Sequence, residues 1–272
     1  MPFRRATVAL VISVVVFAGA CSSNAKRSPS STSSSTSSSS SASTSSTSAV
    51  SATTVTTLLA APPAVKVEAL TGSGKAPHAY EYRVELPQVA GQSAMNDVMR
   101  AWAKKRIVEF VAVVEEDNSG TGESESQRSN LTGRSATTLV DRRVVSFRLV
   151  LSQYISGAAH PGAQVKSFTF DLTTGKELAL PDLFKPGAPY LNYLSRRALE
   201  QLKASEFKDD LIEEGASARD PNFASYNLTD KGMEVTFQEY QVGPYAIGTP
   251  TVKYTYAELR PLMGSSGPLA GR

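Results

Sequence analysis

Residues 28–57 read SPSSTSSSTSSSSSASTSSTSAVSATTVTT, without a charge, an aromatic ring or more than a scatter of small apolar groups. Such a stretch cannot remove enough apolar surface from water to offset the entropy of ordering its backbone. It therefore reads as a disordered Ser-rich tether spanning 21–64, and any fold must be built from the residues C-terminal to it. About 200 residues remain from Val65 to Met263, room for one large domain or two small ones. A coil of the tether's length averages about 35 Å end to end and extends to about 130 Å when stretched.

The segment ahead of the tether explains why a tether is useful. Arg4 and Arg5 form a short positive start, Ala6 to Ala18 are mostly apolar, and Gly19-Ala20 precede Cys21. This is the layout of a secretory signal over residues 1–20, and its apolar run is short of the about 20 residues a membrane span needs. Cys21 is the single cysteine of the chain, so it has no disulfide partner. Ala18-Gly19-Ala20-Cys21 resembles the lipobox of bacterial lipoproteins, with Ala18 where that pattern usually has leucine. The resemblance implies cleavage before Cys21, diacylglycerol on its thiol, and anchoring to the outer face of the cell membrane. Two or more acyl chains hold a protein stably where one is marginal. A secreted chain with an incidental cysteine is the alternative.

Charge excludes one class of partner. The whole chain has 28 Lys and Arg against 25 Asp and Glu. Without Arg4, Arg5, Lys26 and Arg27, 24 basic groups face 25 acidic ones. The folded part is near neutral and offers no basic surplus for nucleic acid.

Within 65–263 the period of the apolar residues changes repeatedly. Tyr80–Pro87 alternates as a strand does, and 91–116 places Met95, Val98, Met99, Trp102, Phe110, Val111 and Val114 on a helical stripe, with Ser93 or Asn96 as its cap. The polar segment 117–134 reads as a loop. Residues 135–156 predict two strands turning near Asp141-Arg142, and 163–172 a third. Asp182 is expected to cap a short helix, and Leu191, Leu194, Ala198, Leu199 and Leu202 to face the core from a longer one. A hairpin about Asp230-Lys231-Gly232, a Gly/Pro/Tyr loop and a last strand complete the pattern. The fold class is α+β, a mostly antiparallel sheet packed with two longer helices.

Two loops attract attention for function. The loop 156–163 holds His160, one of two histidines in the chain, and 240–248 reads YQVGPYAIG. Metal binding at His160 lacks support, because a zinc site needs three or four ligands and only His78 remains besides it. No Gly-x-Ser-x-Gly elbow occurs. A pairing of His160 with Asp171 or Asp182 acting on a serine stays open.

Three spaced motifs resemble a known family. They are Gly157, Ala159 and His160; Asp171, Leu172, Thr174, Gly175 and Lys176 with Leu180, Asp182, Leu183 and Phe184 next; and Tyr240, Gly243, Pro244, Tyr245, Ala246 and Gly248. Together they are similar to the RsiV-like C-terminal domain, found in extracytoplasmic proteins such as the anti-sigma factor RsiV and the peptidoglycan deacetylase PdaC. The family runs Gly-Gly-Ala-His where this chain has Ser156-Gly157-Ala158-Ala159-His160. The resemblance assigns 151–263 to that domain, 65–150 to a small α+β region like the one preceding it in PdaC, and 264–272 to a flexible tail. It implies a binding module, its ligand a lysozyme-like protein or peptidoglycan, contacted through Gly157, His160, Tyr240, Pro244 and Tyr245. A catalytic residue, a cofactor and a metal are not expected. The alternative is a cell-wall-acting hydrolase or an accessory subunit of one. The chain is expected to lack PdaC's separate deacetylase domain and, with so short a positive start, any sigma-factor-holding segment.

Overall fold

A computed structural model of the chain describes residues 60–75, 78–116, 128–265 and 269–272. The signal segment, Cys21 and the tether lie outside the described residues except for the tether's last few. Among the described residues, eight strands form two sheets, the larger of five strands in the order β1-β2-β3-β4-β5 and the smaller of three in the order β6-β7-β8. The large sheet comprises β1 (Val65–Gly74), β2 (Tyr80–Val89), β3 (Ser129–Val140), β4 (Val144–Tyr154) and β5 (Gly162–Asp171). The small one comprises β6 (Tyr226–Leu228), β7 (Gly232–Thr236) and β8 (Thr251–Thr255). Every pairing is antiparallel except β2 with β3, which run parallel from Tyr80↔Ser129 to Val84↔Gly133. Parallel neighbours need a long crossover, and helix α1 (Ser93–Glu116) lies between them in sequence.

The helix covers one face of the large sheet. It buries Met95, Met99, Ala103, Ile107, Phe110 and Val114, a run of three- and four-residue steps that keeps one face toward the core. Val98, expected in this stripe, is 43% exposed, while the small Ala103 is fully buried. Alternate residues of β4 (Val145, Phe147, Leu149 and Leu151) point the same way and are buried with it. Each such side chain contributes about 1.5–3 kcal/mol on leaving water. Trp102 meets Phe168 of β5 edge to face, centroids 5.9 Å apart.

The other face carries the small sheet through a polar seam. Asn227 donates from Nδ2 to Ser146 Oγ at 3.1 Å and to the Phe147 carbonyl at 2.8 Å, and accepts from Ser167 Oγ at 2.8 Å. Ser146 Oγ also pairs with Thr169 Oγ1 at 2.9 Å and accepts from the Leu228 amide at 3.0 Å. A buried polar group is tolerable only when paired, and a fully paired set fixes one relative placement of the two sheets. Behind the small sheet, α2 (Tyr190–Lys203) buries Leu194, Ser195, Ala198 and Leu202.

Three side-chain amides act as one-residue strands. Asn96, Gln201 and Gln238 each accept from the amide and donate to the carbonyl of a single strand residue. The distances are 2.9 and 3.0 Å at Val89, 2.9 and 2.8 Å at Lys253, and 2.8 and 2.7 Å at Val165. They satisfy backbone groups that a sheet edge otherwise leaves open.

Several expectations change. Val65–Gly74 is a strand that its sequence pattern does not announce, and Ser129–Arg134 belongs to β3 rather than to a loop. Asn96 clamps Val89 instead of capping α1. Asp182 sits inside a single 3-10 turn, Leu180–Leu183, and accepts from the amide of Ala179, the residue in the cap position. The large sheet takes strands from both sides of residue 150, which falls within β4. Residues 269–272, expected to trail, are docked: Leu269 is buried, Ala270 accepts from Arg143 at 3.1 Å, and Arg272 pairs with Asp141. The last short helix, α3 (Tyr256–Leu259), is opened by Thr255 and Glu258 bonding reciprocally.

Candidate functional site

The two loops singled out in the sequence meet at the start of β5. Ser129 Oγ accepts from the Ser156 amide at 2.9 Å, and the Ala158 amide closes a turn on Ile155 at 2.9 Å. Gly157 holds φ +81° in that turn, a left-handed conformation that disfavours a side chain. His160 comes next, on the exposed rim. Its Nδ1 lies 3.0 Å from the Pro161 carbonyl, which can only accept, so the proton of that bond resides on Nδ1. Nε2 lies 3.4 Å from the Tyr240 hydroxyl.

The imidazole lies over Tyr245, centroids 3.9 Å apart and planes inclined by 28°. Tyr240 and Tyr245 are 6.0 Å apart and tilted by 38°. The three rings thus form one continuous aromatic surface. Tyr240 is 53% and Tyr245 37% exposed, although both are large apolar side chains. Pro244 and Gly157 stand exposed at its margin. The five residues named from the sequence are placed as follows. The three rings touch one another, Pro244 opens the 3-10 turn Tyr245–Ile247 that presents Tyr245, and Gly157 shapes the turn before His160.

Tyr240 is the one non-glycine residue with positive φ among the described residues, at +63°. An L-residue with a bulky side chain is strained there, by roughly 1–2 kcal/mol. Its neighbours hold it in place. Gln238 clamps Val165; Glu239 Oε2 accepts from the Ala163 amide at 3.1 Å; Gln241 Oε1 accepts from the Gln238 amide at 2.9 Å. Gln241 Nε2 donates to the carbonyls of Gly215 and Asn222 at 2.8 and 2.9 Å. The Gln241 carbonyl lies so near Gly215 that a Cβ there would stand 1.7 Å from it. Sequence reasoning misses Gln238, Glu239 and Gln241. The signal for them is a pair of amides bracketing an aromatic residue in "FQEYQ", directly after a strand.

His160 has Pro161 and Tyr240 as partners rather than either aspartate considered for it. Asp171 Oδ1 accepts from the Thr173 amide at 2.7 Å and Asp182 Oδ2 from the Ala179 amide at 2.8 Å, each ordering its own turn. Among the described residues, no group of three or more His, Cys, Asp or Glu side chains could hold a metal ion. What the face offers is flat, polarisable contact area with phenol and imidazole edges for hydrogen bonding.

Comparison with known proteins sets the context. Residues 181–257 match the model of a family described as protein of unknown function, DUF3298. That stretch includes Tyr240, Pro244 and Tyr245 and stops short of the His160 loop. The chain is 25% identical over 208 residues to the peptidoglycan-N-acetylmuramic acid deacetylase PdaC of Bacillus subtilis strain 168, covering 73% of this chain and 42% of that protein. It therefore spans less than half the length of this relative. Two solved structures share the fold. A DUF3298 member from Bacteroides fragilis superposes with TM-score 0.53 at 15% identity, over 77% of this chain and 97% of its own. A DUF3298 protein from Pseudomonas aeruginosa gives 0.51 at 13% identity, over 75% and 95%. No described helix is long and apolar enough to cross a membrane.

Proposed function

We propose that this chain is an extracytoplasmic cell-envelope binding protein of RsiV-like type, held to the membrane by lipid on Cys21. Its ligand is peptidoglycan or a lysozyme-like protein that works on it. The observation that carries the reading is the exposed His160–Tyr240–Tyr245 surface, which includes a strained residue held by the bonds of Gln238, Glu239 and Gln241. Strain that surrounding bonds maintain at an exposed aromatic residue fits a surface kept for contact. Similarity to a relative named for action on peptidoglycan supports the envelope as the place where that contact occurs.

Co-sedimentation with insoluble peptidoglycan and surface plasmon resonance against immobilised lysozyme test the reading together. Tyr240→Ala and Tyr245→Ala are each expected to weaken the productive interaction by at least about tenfold, as central aromatic contacts do. Wild-type retention by both variants, or no binding of either ligand by the unaltered chain, would refute it. The anchor is tested separately. Cys21→Ala is expected to move the protein from the membrane fraction to the soluble one, and unchanged membrane retention would show that lipid on Cys21 is not the anchor.

A further inference from the structure

β5 is the edge of the large sheet, and its outward backbone groups are largely taken. In a strand, alternate residues turn both N–H and C=O toward the same side. Here these are Ala163, Val165, Ser167, Thr169 and Asp171. Glu239 accepts from Ala163 at 3.1 Å, and Gln238 clamps Val165 at 2.8 and 2.7 Å. Beyond Ser167, Leu178 donates to the Thr169 carbonyl at 2.7 Å, and Asp171 donates to the Lys176 carbonyl at 3.0 Å. Among the described residues, Ser167 is the outward position with neither its N–H nor its C=O partnered within the protein, yet it is only 6% exposed. Nearly buried backbone groups without partners are rare and unfavourable.

A cleft of about 560 Å³ opens directly on this gap, with Ser167 and Thr169 on its floor and Leu178, Pro181, Pro221 and Tyr226 among its walls. The polar groups of the walls are engaged. The Tyr226 hydroxyl, its ionisation pushed well up by burial, donates to the Leu178 carbonyl at 2.6 Å. At the mouth, Lys166 pairs with Glu177 at 3.0 Å, and Asp220 accepts from the Tyr190 hydroxyl at 2.9 Å. Lys166 and Glu177 neutralise one another while Asp220 keeps its negative charge beside a neutral hydroxyl, so the cleft disfavours an anion. At Ser167 the open positions are one donor and one acceptor, side by side.

We propose that this cleft binds a primary carboxamide, the side chain of a glutamine or asparagine in a peptide, whose C=O accepts from Ser167 N–H while its N–H donates to Ser167 C=O. The protein itself makes this arrangement three times, at Val89, Val165 and Lys253. The instance at Val165 is two residues along the same edge. An added strand is excluded by geometry, because it would also need the Val165 groups and the Thr169 carbonyl, which are occupied. A trans secondary amide, as in an N-acetyl sugar, points its N–H away from its C=O and cannot bridge both groups of one residue. The site lies about 13 Å along β5 from Ala163 and stands whether or not the aromatic surface binds its ligand.

The test is amide-resolved NMR on the ¹⁵N-labelled full-length chain. Three probes are titrated: an Ala-Gln-Ala peptide blocked by acetyl and N-methylamide ends, the same peptide with Glu, and N-acetylglucosamine. The glutamine peptide is expected to shift the Ser167 resonance saturably. The glutamate peptide should bind at least about tenfold more weakly, and the sugar should leave Ser167 unmoved. In the free chain, Ser167 N–H should exchange with solvent hydrogen faster than the clamped Val165 N–H. Ala224→Trp, at an exposed position on the cleft wall, should abolish the response while Val165 stays protected. The proposal is overturned by equal protection of Ser167 and Val165, by no response to the glutamine peptide, or by equal binding of either control. Unchanged binding by Ala224→Trp would overturn it as well.

Discussion

Tyr240 allows the strain argument to be tested by the sign of an effect. At an ordinary position glycine is less favourable than alanine by roughly 0.5–1 kcal/mol, because the unfolded chain gains freedom. At φ +63° the balance reverses. Alanine keeps the left-handed penalty of roughly 1–2 kcal/mol, and glycine is free of it. Tyr240→Gly should therefore be more stable than Tyr240→Ala by about 0.5–1 kcal/mol, the smaller effect subtracted from the larger. Comparing the two variants with each other cancels the lost ring and its contact with Tyr245. For a folded part of this size the difference is about 1–4 °C in melting temperature, readable by calorimetry. Both variants should lose binding to the same extent, so stability and recognition part company. If Tyr240→Gly melts below Tyr240→Ala, the residue is not strained and the reasoning about the face loses its main support.

Gln238→Ala removes the clamp from Val165 and a bond to Ser225 Oγ at 2.8 Å. It should cost about 2–4 kcal/mol in urea unfolding, from groups left without partners; a loss under about 0.5 kcal/mol would mean that water replaces the amide freely. Glu258 is held below its ordinary 4.5 by the Thr255 amide, the Thr255 hydroxyl and Arg197. Its folded-state value is the lower one, so its stabilisation is present above 4.5 and is lost as pH falls through the folded-state value. Glu258→Gln should flatten the fall of melting temperature with acidification in that window, and an unchanged slope would assign the acid sensitivity elsewhere.

The parts of the fold legible in the sequence were those with a clean period. β2, β4 and β5 alternate visibly, and α1 declares itself through Met95, Met99, Phe110 and Val114. Of the apolar residues expected in that stripe only Val98 turns outward, and Ala103 was passed over, because helix-to-sheet contact rewards a small side chain as well as a large one. The start of β3 looked like a loop because Ser129, Asn130 and Gly133 are turn-formers. Yet Gly133 is required there: a Cβ would stand 2.8 Å from Val84 Cγ1 and 2.7 Å from Leu151 Cδ2. The parallel pairing of β2 with β3 left no local trace, since it depends on where α1 returns the chain. Both loops of the candidate site could be named from their residues. Their meeting could not, because His160 and Tyr240 are 80 positions apart and neither carries a mark of the other.

The clamp at Val165 has a consequence in time. Gln238 lies 73 residues after the strand residue it closes, and a chain emerging N-terminus first delivers it late. Until then β5 is a bare template, able to recruit any passing strand. A truncation that ends before Gln238 would leave the large sheet nearly complete yet unfinished on that side. Such a fragment should precipitate rather than fold. Protection of this sheet against self-association is therefore a task of the last part of the chain, the same part that sets Tyr240 on the surface.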